Sequence, residues 1–129
     1  MKIYTTNFAS LKNVPKTIIP IAICGKTPEW WTGLKFPALA PKYWWWVTWK
    51  ESGEDKDWYT QKYKETVLDS LIPFSVVQEL KEMVGEGNDV ALVCYEKSNE
   101  FCHRHLVAQW LRDAGYSVEE WEKTAGTGS

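Results

Sequence analysis

Apolar positions change their period several times along the chain, and each change marks an element. Lys2-Ile3-Tyr4-Thr5-Thr6 is β-branched and aromatic and predicts a short first strand, ended by Asn7. Phe8 to Leu11 predicts one helical turn before Asn13 and Pro15 break the chain. Thr17 to Cys24 is a continuous apolar run, the pattern of a strand covered on both faces. Pro20 lies inside it and cannot donate to a ladder, so it marks a bulge, or else the strand begins only at Ile21. Residues 26–41 have no clear period and predict a loop carrying Trp30 and Trp31.

The second half is more regular. A helix is predicted from Pro41, at its first position, to about Lys50. After a charged turn over 52–56, Asp57 caps a helix over about 58–71, on which Tyr59, Tyr63, Val67 and Leu71 recur every four residues. Pro73 interrupts. Ser75 and Gln78 then fit a capping box before the stripe of Val76, Val77, Leu80, Met83 and Val84, ended by Gly85 and Gly87. Asp89 to Cys94 is the clearest strand. Asn99 is placed to cap the next helix, which puts Phe101, Cys102 and His103 in its first turn. Leu106, Val107, Trp110, Leu111 and Ala114 form that helix's buried stripe, and Gly115 stops it. Tyr116 to Trp121 alternates as a last, half-exposed strand, and residues 123–129 read as a flexible tail. Strands alternating with helices imply an α/β fold. It is a single small domain over 1–122, with a mainly parallel, four- or five-stranded Rossmann-like sheet and helices on both faces.

Composition narrows the function classes. The 129 residues suffice for one core, and a formal net charge of −2 gives no basic footprint for duplex nucleic acid. No apolar run is long enough for a membrane span, and Met-Lys-Ile-Tyr does not read as a signal peptide, so the expected location is the cytoplasm. The three cysteines are then most simply free thiols, although Cys94 and Cys102 could pair transiently. Nine tryptophans is a high count for so small a chain. On a helix Trp44, Trp45 and Trp46 span about 200°, so at least one faces solvent, a ligand or a partner.

Candidate chemistry gathers where the clearest strand ends. Ligands of parallel sheets bind outside the carboxyl ends of the strands. Thr6-Asn7, Lys26 and Cys94-Tyr95-Glu96 leave those ends, and Cys102-His103-Arg104 opens a helix on the same rim. Cys94-Tyr95-Glu96 followed by Phe101-Cys102-His103-Arg104-His105 resembles the signature of the family known as domain of unknown function 488. Ile3-Tyr4-Thr5, Leu39-Ala40-Pro41-Lys42-Tyr43 and Tyr63…Val67-Leu68 look like that family as well. The likeness covers most of residues 1–122, and the aromatic middle segment looks like the phage-associated kind, which would place the protein in a host cell's cytoplasm. The resemblance implies a small α/β protein and singles out Cys94, Glu96, Cys102, His103 and Arg104. It implies no established reaction.

Three functions compete. The first is a site for a nucleotide or a nucleotide-derived anion, sequestered or processed there. Arg104, His103 and the helix N-terminus would take a phosphate, Lys26, Thr6 and Asn7 would lie beside it, and Glu96 would take a hydroxyl or base N–H. Trp30, Trp31 or one of Trp44–Trp46, with Trp30 and Trp45 singled out, would stack on the ring, and Cys94 and Cys102 would line the wall. The second is a cysteine-dependent hydrolase or transferase with Cys94 or Cys102 as nucleophile, His103 as base and Arg104 as anion clamp, and with Glu96 counted in the catalytic set. The third is an interaction module, such as a homo-oligomer joined through the tryptophan-rich segment. The bland readings are a core-filling Cys94, a hydrogen-bonded core His103, and an Arg104 paired with Glu100 one turn back. Zinc is disfavoured because His103 and His105 point about 200° apart on a helix, and no Cys-x2-Cys clamp is present. No metal or cofactor is expected.

Overall fold

The computed structural model describes residues 1–122. The tail expected over 123–129 lies outside the described residues. Five strands, β1 (Ile3–Asn7), β2 (Ile18–Ala22), β3 (Leu34–Lys35), β4 (Asp89–Cys94) and β5 (Val118–Glu120), form one sheet in the order β3-β2-β4-β1-β5. All neighbours are parallel, with Ile3 level with Val90 and Val118, and Ile18 level with Asp89. The helices are α1 (Tyr43–Glu51), α2 (Lys56–Thr66), α3 (Pro73–Val84) and α4 (His103–Asp113).

Strand alternation sends the two sets of side chains to different cores. Ile3, Ile21, Ile23, Val90, Leu92 and Val118 join the helices in the larger core, with Val76 and Leu80 from α3 and Val107 and Leu111 from α4. Ile18, Ala22, Ala91 and Val93 face the other way and pack with Phe8, Leu11 and Trp31. That second face is covered by a 3-10 segment, Phe8–Asn13, and by the β2–β3 loop. The segment is longer than the single turn expected, and Asn7 caps it by accepting the Ser10 N–H at 2.9 Å. Among the described residues no helix is long and apolar enough to cross a membrane.

Several boundaries differ from the sequence reading. Pro20 is an ordinary member of β2, neither a bulge nor a boundary. Ala22 O accepts from Phe36 N–H on the β3 side, whereas Ile23 N–H donates to Val93 O on the β4 side. Backbone groups alternate, so the Pro20 nitrogen points to the β3 side, where β3 pairs only with Ile21 and Ala22. No ladder bond is lost. The long loop contains that two-residue β3 and a 3-10 turn, Pro37–Leu39, neither of which has a periodic signal.

Helix α1 starts at Tyr43, two residues beyond the expected Pro41. Asp55, not Asp57, caps α2 by accepting the N–H groups of Asp57 and Trp58, and α2 ends at Thr66 before a short 3-10 turn. Pro73 opens α3 from its first turn instead of interrupting, so Ser75 and Gln78 are already inside the helix and make no capping box. Asn99 does not cap α4. Cys102 holds that position, without a side-chain cap bond, so Phe101 and Cys102 precede the helix. Ala114 is exposed, and Ala108 takes its place in the buried stripe.

Candidate functional site

The chain leaves β2 outward to β3 and leaves β4 in the opposite direction, through α4 to β5. Adjacent strands whose connections diverge open a crevice at their carboxyl ends. A cavity of about 620 Å³ lies there, between the segments Cys24-Gly25-Lys26 and Cys94-Tyr95-Glu96.

One wall is aromatic. Tyr43, Trp46 and Trp49 of α1, Tyr59 of α2 and Phe101 line it. Their order comes from the packing beneath. Trp45 is buried, donates its indole N–H to Thr66 Oγ1 at 2.8 Å and sits edge-on to Tyr59. Tyr59 in turn meets Trp49 and Phe101 edge-on, with ring centres 4.8 and 4.9 Å away. Trp49 donates to Asp55 O. With Trp45 turned inward, Trp44 and Trp46 must turn out, and Trp46 reaches the cavity with Tyr43 stacked on it.

The floor consists of Cys94, Cys102 and His103, all buried. The two sulfurs lie within disulfide contact of each other, while their Cα atoms are 7.7 Å apart. Cys102 Sγ is 3.9 Å from His103 Nδ1, and the metal-binding atoms of all three residues fall within 4.8 Å of one another. His103 Nε2 lies 2.7 Å from Ile23 O, a carbonyl that can only accept. The proton is therefore on Nε2, and Nδ1 presents a lone pair to the cysteines. Burial holds His103 well below the usual histidine range, to about 4, helped by the Arg104 and His105 charges and opposed by the Ile23 bond. The ring is neutral at pH 7.

Lys26 and Glu96 are exposed at the rim. The Cys24 thiol beside them is pushed up by burial. The Tyr95 hydroxyl donates to Lys26 O, which joins the two rim segments. Arg104 does not line the cavity. It is fully buried, with Nε and Nη2 on the Glu120 carboxylate at 3.1 and 2.8 Å, and Nη1 on Glu96 O at 2.7 Å and Cys94 Sγ at 3.4 Å. Four of its five N–H groups are used inside the protein and the group is fully buried outside the cavity lining, so it does not meet a phosphate there, and its partner is Glu120, not Glu100. Thr6 is buried against Trp121 O, and Asn7 is occupied as a cap. Trp30 packs edge-on to Phe8 and does not line the cavity, and Trp45 is core.

Sequence reasoning missed Trp49, Tyr59, Phe101 and Glu120. The first three look like ordinary core positions in a helical period, and Glu120 lies on a short strand with no local motif. No curated protein and no solved structure shows significant similarity to the chain. The family described as "DUF488-N3a: Active DUF488-N3 subclade" matches residues 9–115. That span runs from the 3-10 segment to the end of α4 and takes in the aromatic wall, the floor and both rim segments, and the chain belongs to the DUF488 family.

Proposed function

We propose that the cavity binds a nucleotide or nucleotide-derived anion, with the flat ring against the aromatic wall. The observation that supports this reading most is the combination, at one carboxyl edge, of Trp46, Trp49, Tyr59 and Phe101 with a small polar floor and a single rim cation, Lys26. Ligand sites of this size are usually apolar, with a few placed polar groups. Aromatic faces take a base by stacking. Lys26 would meet the anionic group, and Glu96 a hydroxyl or base N–H. Arg104 has no part in binding and holds the floor instead. The aromatic middle segment further suggests a phage-encoded member, whose ligand would be a nucleotide signal of the host.

Thermal melting against a panel of mono-, di- and cyclic dinucleotides tests the reading. A ligand at one hundred times its Kd adds about 2.7 kcal/mol. That raises Tm by about 10 °C in a chain of this size. Lys26→Ala and Trp46→Ala should each reduce the shift without lowering the unliganded Tm. Absence of any shift across the panel, or an undiminished shift in Trp46→Ala, sinks the reading.

A further inference from the structure

A flat ligand accounts for the aromatic wall of the cavity but not for its floor. We propose that Cys94, Cys102 and His103 bind one divalent zinc-type ion, with the fourth coordination position facing the cavity. This is independent of which organic ligand the cavity takes.

Two thiolates and an imidazole are zinc ligands, and sites with three protein ligands keep one position open. Here the three donor atoms lie within 4.8 Å of one another. A sulfur and a nitrogen on one tetrahedral zinc stand about 3.6 Å apart, and Cys102 Sγ and His103 Nδ1 are 3.9 Å apart. The sulfurs touch, yet the backbone does not suit a covalent bond between them. Disulfides usually bring the Cα atoms within about 4.4–6.8 Å, and here they are 7.7 Å apart. Two sulfurs on one tetrahedral zinc stand about 3.8 Å apart, so turning the two side chains about their Cα–Cβ bonds would part the sulfurs around an ion while the strand end and the helix cap keep their 7.7 Å Cα separation.

The surroundings point the same way. A ligating histidine commonly donates its other N–H to a carbonyl, which fixes the ring and its tautomer. His103 does this to Ile23 O at 2.7 Å and aims Nδ1 at the sulfurs. Arg104 Nη1 donates to Cys94 Sγ and steadies a thiolate there. Glu120 already neutralises Arg104, so two thiolates in this buried floor call for a cation of their own. One divalent ion balances them. On ligation each thiol loses its proton to solvent, so two protons leave per ion and no electron is transferred. His105, set aside by helical geometry, is not needed.

Metal analysis of reduced protein purified without chelator should find roughly one zinc per chain. Expression in cobalt-supplemented medium should give thiolate-to-cobalt charge-transfer absorption in the near ultraviolet and the strong visible bands of a tetrahedral site. Cys102→Ser should lose about half of the charge-transfer intensity. His103→Ala should keep thiolate bands but bind the ion at least ~10-fold more weakly. His105→Ala should match the parent. If the cysteine variants do not fold, the parent spectrum still decides, because the charge-transfer band reports sulfur ligation directly. A folded, reduced parent chain that holds no zinc and gives no thiolate–cobalt band overturns the proposal. So does a Cys94–Cys102 disulfide in protein isolated anaerobically. Nucleotide melts repeated with and without the ion separate a failure here from a failure of the ligand reading.

Discussion

Replacing Glu120 by alanine should be among the most damaging single changes in the molecule. Arg104 is fully buried, and Glu120 supplies two of its four contacts, in a side-on pair at 3.1 and 2.8 Å. The same carboxylate accepts from Thr5 Oγ1 at 2.6 Å. Glu120→Ala leaves a guanidinium inside the protein with only Glu96 O and Cys94 Sγ to satisfy it. Breaking one side of a buried pair costs about 3–5 kcal/mol. At about 4 °C per kcal/mol for this chain length, Tm should fall by roughly 12–20 °C. Urea unfolding should show a lower midpoint with an unchanged slope. The reciprocal change, Arg104→Met, should cost less, because the Glu120 side chain is 20% exposed and can turn to water. The double variant Arg104→Met/Glu120→Ala should recover at least ~1 kcal/mol of the summed loss. A Glu120→Ala variant within about 1 kcal/mol of the parent would refute the reasoning, because water would then be reaching a guanidinium that the fold buries completely.

Two further outcomes follow from the fold. With Cys94 and Cys102 joined and no metal bound, His103 titrates at about 4 when folded and near 6.5 when unfolded; between these values the unfolded chain holds more protons. Stability should fall by about 2 kcal/mol from pH 7 to pH 5 and by about 3 in all near pH 4, and His103→Gln should lack this part of the slope in urea titrations at each pH. Pro20→Ala should change stability by no more than about 1 kcal/mol, because its nitrogen faces a stretch where β3 does not pair; a change above ~2 kcal/mol in the same assay would contradict that orientation.

Much of the fold was legible because periodicity reports burial. Asp89–Cys94 is apolar throughout since it lies between β2 and β1 with both faces covered. The stripes of α3 and α4 are equally plain. Pro73 was harder. A proline both ends one helix and starts the next, and only the backbone distinguishes these. The two-residue β3 pairs through main-chain groups alone and leaves no side-chain pattern.

The site divided in the same way. Topology placed Lys26, Cys94, Glu96, Cys102 and His103 around one crevice. It could not show that Arg104 turns away, because Glu120 is distant in sequence. Nor could it choose among neighbouring tryptophans. At 100° per residue the inward one is set by its partners on α2, and here Tyr59 and Thr66 select Trp45.

The strand order has a kinetic consequence. β4 joins β1 and β2, yet it follows both by most of the chain, and β5 comes later still. Ile3 finds Val90 and Val118, and Ile18 finds Asp89, only after long loops have closed. Sequence-local contacts are concentrated instead in α1 and α2, where Trp45, Trp49, Trp58 and Tyr59 interlock. Topologies dominated by distant pairings fold slowly. During synthesis the aromatic hairpin can therefore order while β1 and β2 still wait, their edges bare, for a central strand the ribosome has yet to deliver.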